Sequence, residues 1–117
     1  MSAGQIITVR LVYSILAGCF IWFASLQFND VDAPLWIAVY ASAALSSLGL
    51  AWGVRHHIIT RITWVFIACL VLWLVTLIPN LEGAWWDGEV EREFGGLTIV
   101  LLSQLGEIFF YHRMSRL

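Results

Sequence analysis

The chain has 117 residues, of which 61% are hydrophobic and 12% charged, with a mean hydropathy of +0.85 and a net charge of −2. Soluble domains average roughly 45–50% apolar and 25% charged residues, so this composition excludes an ordinary soluble domain. All six basic residues are arginines and no basic surplus exists, which argues against nucleic acid as a partner.

A bilayer core of about 30 Å needs about 20 apolar residues in a helix, and four such runs are predicted: 7–28, 35–54, 58–78 and 94–111. Helices are required because backbone groups in lipid must be satisfied within the segment, whereas a barrel would show period-two alternation. The expected fold is therefore an all-α membrane protein, an antiparallel bundle of four transmembrane helices forming a single domain over 1–117.

The first run contains Leu16-Ala17-Gly18-Cys19, which looks like a lipoprotein cleavage box, but Phe20-Ile21-Trp22-Phe23 prolongs the apolar run where a polar tether would be needed. Cys19 and Cys69 each lie mid-run and are read as buried thiols, at comparable depths that allow a disulfide. Between the first two runs, Asp32 is a candidate cap and Pro34 falls in the first turn of the second helix. Gly53 to His57 forms a tight turn, Pro79-Asn80 ends the third run, and the polar stretch to Glu93 is the longest loop, with Asp87 a candidate cap for the last helix.

Arg10, Arg55, Arg61, Arg113 and Arg116 gather at the termini and the second turn, so the positive-inside rule puts both termini in the cytoplasm, in a plasma or bacterial inner membrane. Asp30, Asp32, Glu82, Asp87, Glu89, Glu91 and Glu93 fall on the opposite side. Trp36, Trp85 and Trp86 are expected at the outer interface, Trp52 and Trp64 at the inner one, and Trp22 and Trp73 deeper as packing residues.

Helices in lipid associate through small residues and internal hydrogen bonds. On the second helix Ser42, Ser46, Gly49 and Gly53 share one face and are expected to pack closely. On the fourth, Glu89, Gly96 and Ser103, interleaved with Glu93, Val100 and Glu107, form a stripe expected to point into the bundle. Glu107 stands apart, because a carboxyl at this depth needs a partner or a proton. Pairing with Arg10 or Arg61, or reaching to the inner surface, is the plainer reading, and a proton-relay or substrate group is the functional one.

The outer loops hold the main candidate site. Antiparallel connectivity would bring Gln27, Asn29, Asp30 and Asp32 opposite Glu89, Arg92 and Glu93. Arg92 bridging the first-loop acids would lock the hairpins together. Alternatively Asp30, Asp32, Glu89 and Glu93 offer oxygen ligands to a hard cation such as Ca²⁺ or Mg²⁺. Paired carboxylates beside a lipid-accessible cavity would suit acid/base chemistry. His56, His57 and His112 are expected at the interface, and with no histidine mid-membrane a buried haem is not expected.

The stretch Gln27-Phe28-Asn29-Asp30-Val31-Asp32, with Trp36 and Tyr40 after it, resembles the first-hairpin signature of the transmembrane protein 220 family. Glu89, Arg92-Glu93 and Gly96-Leu97 resemble that family's motif at the start of its last helix. Val31 stands where the family pattern has proline. The resemblance implies a four-span fold and a polar cluster built from Gln27, Asn29, Asp30, Asp32, Trp36, Tyr40, Glu89, Arg92 and Glu93, and it specifies no activity. The functional expectation is a non-catalytic scaffold, ligand-binding module or accessory subunit among membrane lipids, with a second membrane chain or a homo-oligomer as partner. The alternatives are an intramembrane acid/base enzyme acting on a lipid-like substrate, and a transporter, which four spans would form by oligomerising.

Overall fold

A computed structural model describes residues 2–28, 33–52, 57–81 and 89–115, the side chains of 89, 90, 114 and 115 excepted. Helices occupy nearly all of it: α1 (Ala3–Ser25), α2 (Ala33–Ala51), α3 (His57–Leu77) and α4 (Glu89–Ser115), with a 3-10 turn at Ile78–Asn80. All four are long and apolar enough to cross a membrane.

Local chemistry sets the helix ends. Ser2 caps α1: its hydroxyl accepts from the Gln5 backbone N–H at 3.2 Å, and the Gln5 side chain accepts from the Ser2 backbone at 2.9 Å. At the other end of α1, the Ser25 hydroxyl and the Gln27 amide donate to the Trp22 and Phe23 carbonyls, satisfying groups that the helix leaves open. Pro34 lies in the first turn of α2, as expected, where its missing N–H costs nothing. Pro79 cannot donate to the ladder, and α3 tightens there into the 3-10 turn. The α4 helix starts at Glu89, before the apolar run begins, and its 27 residues span about 40 Å at 1.5 Å per residue.

Bulky side chains determine which faces meet. The main core joins Phe20 of α1, Trp36, Tyr40 and Ala43 of α2, Leu70 and Leu74 of α3, and Leu97 and Val100 of α4. A second cluster joins Val9 and Tyr13, early in α1, to Leu50 and Ala51, late in α2. The α1–α2 pair is the most extensive interface, and α4 packs on both α3 and α2. Near the start of α2 and the end of α3 the two helices meet through Trp36 and Trp73, whose ring centroids are 4.9 Å apart. Of the stripe expected to face inward on α4, Val100, Ser103 and Glu107 are buried, Glu93 and Gly96 are half-buried and the Glu89 side chain lies outside the described residues; Leu97 and Gln104 join the same buried face.

Apolar side chains also cover the outside. Leu72, Ile7 and Leu45 are among many that are more than half exposed, a surface that water would not tolerate and lipid tails would.

Four expectations are corrected. Cys19 and Cys69 are exposed free thiols rather than buried ones, because both lie on helix faces turned away from the core. Trp22 is 63% exposed and packs nothing central, whereas Trp73 does pack. Trp36 lies inside the core, stacked near Tyr40, instead of at an interfacial belt. Ser42, Ser46 and Gly49 do share a face of α2, but that face borders a cavity and meets α4 through the hydrogen bonds of Ser46 rather than through close packing along its length. Gly53, Asp32, Asp87, Trp85 and Trp86 lie outside the described residues.

Candidate functional site

Of the cluster expected from the sequence, only some members are described. Asn29, Asp30 and Asp32 lie outside the described residues, as does the Glu89 side chain. Gln27 is half-buried and donates to the Phe23 carbonyl at 3.3 Å. Trp36 and Tyr40 come together in the core, and the Tyr40 hydroxyl lies where a Cβ on Gly96 would fall. Glu93, one turn before Gly96, is half-buried, and Arg92 is exposed. Glu91 is only 3% exposed, although nothing in the spacing of α4 singled it out. Among the described residues, no group of three or more His, Cys, Asp or Glu side chains is disposed to hold a metal ion.

A more complete site lies toward the opposite end of the bundle. Glu107 is 6% exposed, so it does not reach the surface, and Arg10 and Arg61 are both exposed. Its partner is Ser46 of α2, whose Oγ lies 3.2 Å from Glu107 Oε2. Gln104, one turn before Glu107 on α4, is 1% exposed and donates through Nε2 to Ser46 Oγ at 3.0 Å. Ser103 Oγ lies 3.4 Å from the same amide nitrogen. The single hydroxyl hydrogen of Ser46 has two good acceptors in reach, the Ala43 carbonyl at 3.0 Å and Glu107. A negative charge on Glu107 favours the second, because hydrogen bonds to ionised acceptors are stronger.

This network borders a cavity of about 330 Å³. The α2 wall consists of Ser42, Leu45, Ser46, Gly49 and Leu50. The α3 wall consists of Ile59, Thr60, Ile62 and Thr63, and α4 supplies Glu107, Ile108 and Tyr111. A Cβ added at Gly49 would meet nothing within 4 Å, so the absence of a side chain there keeps the cavity open. Leu45 and Ile62, at 71% and 63% exposure, form a rim turned outward between α2 and α3. The cavity is therefore greasy at its mouth and along its walls, with a carboxyl and a few hydroxyls inside. Binding sites for small molecules have this composition and volumes from roughly 300 Å³ upward.

Sequence reasoning weighed Glu107 as a partner of Arg10 or Arg61, as a group reaching the inner surface, or as a proton-relay or substrate group, and it read Ser46 as a packing residue. Gln104 was missed, although it lies four residues after Val100 and three before Glu107 on the inward face of α4. A buried amide beside a buried acid, one turn apart, is a legible signal for a polar network.

No curated protein and no solved structure matches this chain. The family model described as Transmembrane family 220, helix, matches residues 19–109, a stretch that takes in Gln27, Tyr40, Ser46, Gln104 and Glu107. With more than half of its length matched, the chain is a member of transmembrane family 220.

Proposed function

We propose that this membrane protein is a non-catalytic ligand-binding module whose site is the cavity between α2, α3 and α4. The observation that carries this reading is a buried carboxyl, held by Ser46, on the wall of an otherwise apolar cavity with a rim at Leu45 and Ile62. A buried polar group at membrane depth is expensive, and such groups mark binding or transfer sites. Acid/base catalysis would call for a second acidic or basic group converging on the same space. Among the described residues, Glu107 is the one carboxylate on this wall. The arginine distribution supports an orientation with both termini, and hence this cavity, toward the cytoplasm.

The test is co-purification. Protein extracted in mild detergent is expected to retain a small molecule or lipid, seen by mass spectrometry of the organic extract. The variant Gly49→Leu, which fills the cavity, is expected to lose it. Equal recovery from a folded Gly49→Leu protein would sink the proposal.

A further inference from the structure

We infer that the occupant of this cavity is a single-chain amphiphile with an amine head that pairs with Glu107, a deepening that rests on the ligand-binding reading above. Charge is the first argument. Among the described residues the cavity lining contains one carboxylate and no basic side chain, and Arg61, between the lining residues Thr60 and Ile62, is exposed and not part of the wall. A carboxylate in a low-dielectric site is stabilised by an opposite charge, and among the described residues no basic side chain lines the cavity to supply one.

The polar network adds a second argument. Gln104 donates to Ser46, and Ser46 has Glu107 within reach as an acceptor. A donor chain that ends on the carboxylate fixes its position on the cavity wall, and hydrogen bonds in series strengthen one another. Because a carboxylate has about four acceptor positions, Ser46 and the neighbouring Gln104 do not saturate it. An ammonium group brings both the missing charge and up to three N–H donors.

Shape supplies the third. About 330 Å³ accommodates a small head and the first part of one chain. Leu45 and Ile62 at the rim, with Leu50, Ile59 and Ile108 inside, provide an apolar path on which the rest of the chain would lie toward the bilayer.

The test uses the full chain in neutral phosphatidylcholine nanodiscs, labelled with three photoreactive probes of equal alkyl length that end in an amine, an alcohol or a carboxylate. Crosslinks are mapped by mass spectrometry. The amine probe is expected to label cavity-wall residues most strongly and to be displaced by unlabelled dodecylamine. In Glu107→Gln its labelling should fall roughly tenfold or more, the loss of one charge-assisted contact, while the alcohol probe is unaffected. If the alcohol or carboxylate probe labels the wild-type cavity as strongly as the amine, or Glu107→Gln keeps amine labelling, the amine assignment is overturned and the ligand-binding reading stands. If no probe labels the wild-type cavity above the level of Gly49→Leu, both fall. The ranking of probes on the wild-type protein decides the matter even where a variant folds poorly.

Discussion

The Tyr13 hydroxyl of α1 donates to the Ser103 carbonyl of α4 at 3.0 Å, and it reaches that oxygen across Gly106, where an added Cβ would fall on the hydroxyl itself. Tyr40 of α2 is similarly placed against Gly96. The two glycines lie about 15 Å apart along α4 at 1.5 Å per residue. A tyrosine from α1 and another from α2 thus set the approach of α4 at two levels.

Gly106→Ala should therefore destabilise the bundle by about 1–3 kcal/mol, the range for overpacking, even though alanine is the better helix former. Tyr13→Phe removes the oxygen in the way, so the double variant should recover part of that loss. Thermal unfolding in detergent reads both, and strictly additive losses would contradict the contact.

Ser46 links Gln104 to Glu107, and Ser46→Ala should cost roughly 1–3 kcal/mol by leaving buried polar groups short of a partner. The same change in a Glu107→Gln background should cost less. A double-mutant cycle by chemical unfolding is expected to give a coupling of at least about 0.5 kcal/mol, the level that separates interacting residues from independent ones.

Gly49 faces open space. Replacement by alanine adds helix propensity without a clash and should raise stability by about 0.5–1 kcal/mol. A lower melting temperature for Gly49→Ala would mean that another helix closes on this face.

Cys69 and Leu70 are adjacent on α3, yet one is exposed and the other 1% exposed. Cys69→Ala, like Cys19→Ala, should change stability by no more than about 0.5 kcal/mol. Leu70→Ala should lose about 2–5 kcal/mol by opening a cavity in the core. Melting curves of the three variants in one detergent make the comparison, and a large effect at either cysteine would refute the outward placement.

Much of this was legible in the chain itself. Four spans follow from run length, and the first-turn position of Pro34 and the tightening at Pro79 follow from proline's missing donor. The inward face of α4 follows from the spacing of Gly96, Val100, Ser103 and Glu107. These are local properties, carried by neighbours within a turn or two. Exposure within an apolar helix was far less legible: Cys19, Cys69 and Trp22 turn outward because lipid accepts an apolar side chain as readily as a core does. Hydropathy cannot distinguish the two environments.

The Glu107 site illustrates the same division. Sequence alone determined that a carboxyl lies at membrane depth and needs a partner, and that Ser42, Ser46 and Gly49 share a face of α2. Only the tertiary structure decided that the partner is Ser46 and that this face borders a cavity. The physical reason lies in large residues elsewhere: Trp36 against Trp73 joins α2 to α3 near one end, and Tyr13 and Tyr40 hold α4 at Gly106 and Gly96. In water a hydrophobic drive would favour closing the gap that remains. In a bilayer an apolar chain can fill it as well as a helix can, so small residues there leave room for a ligand.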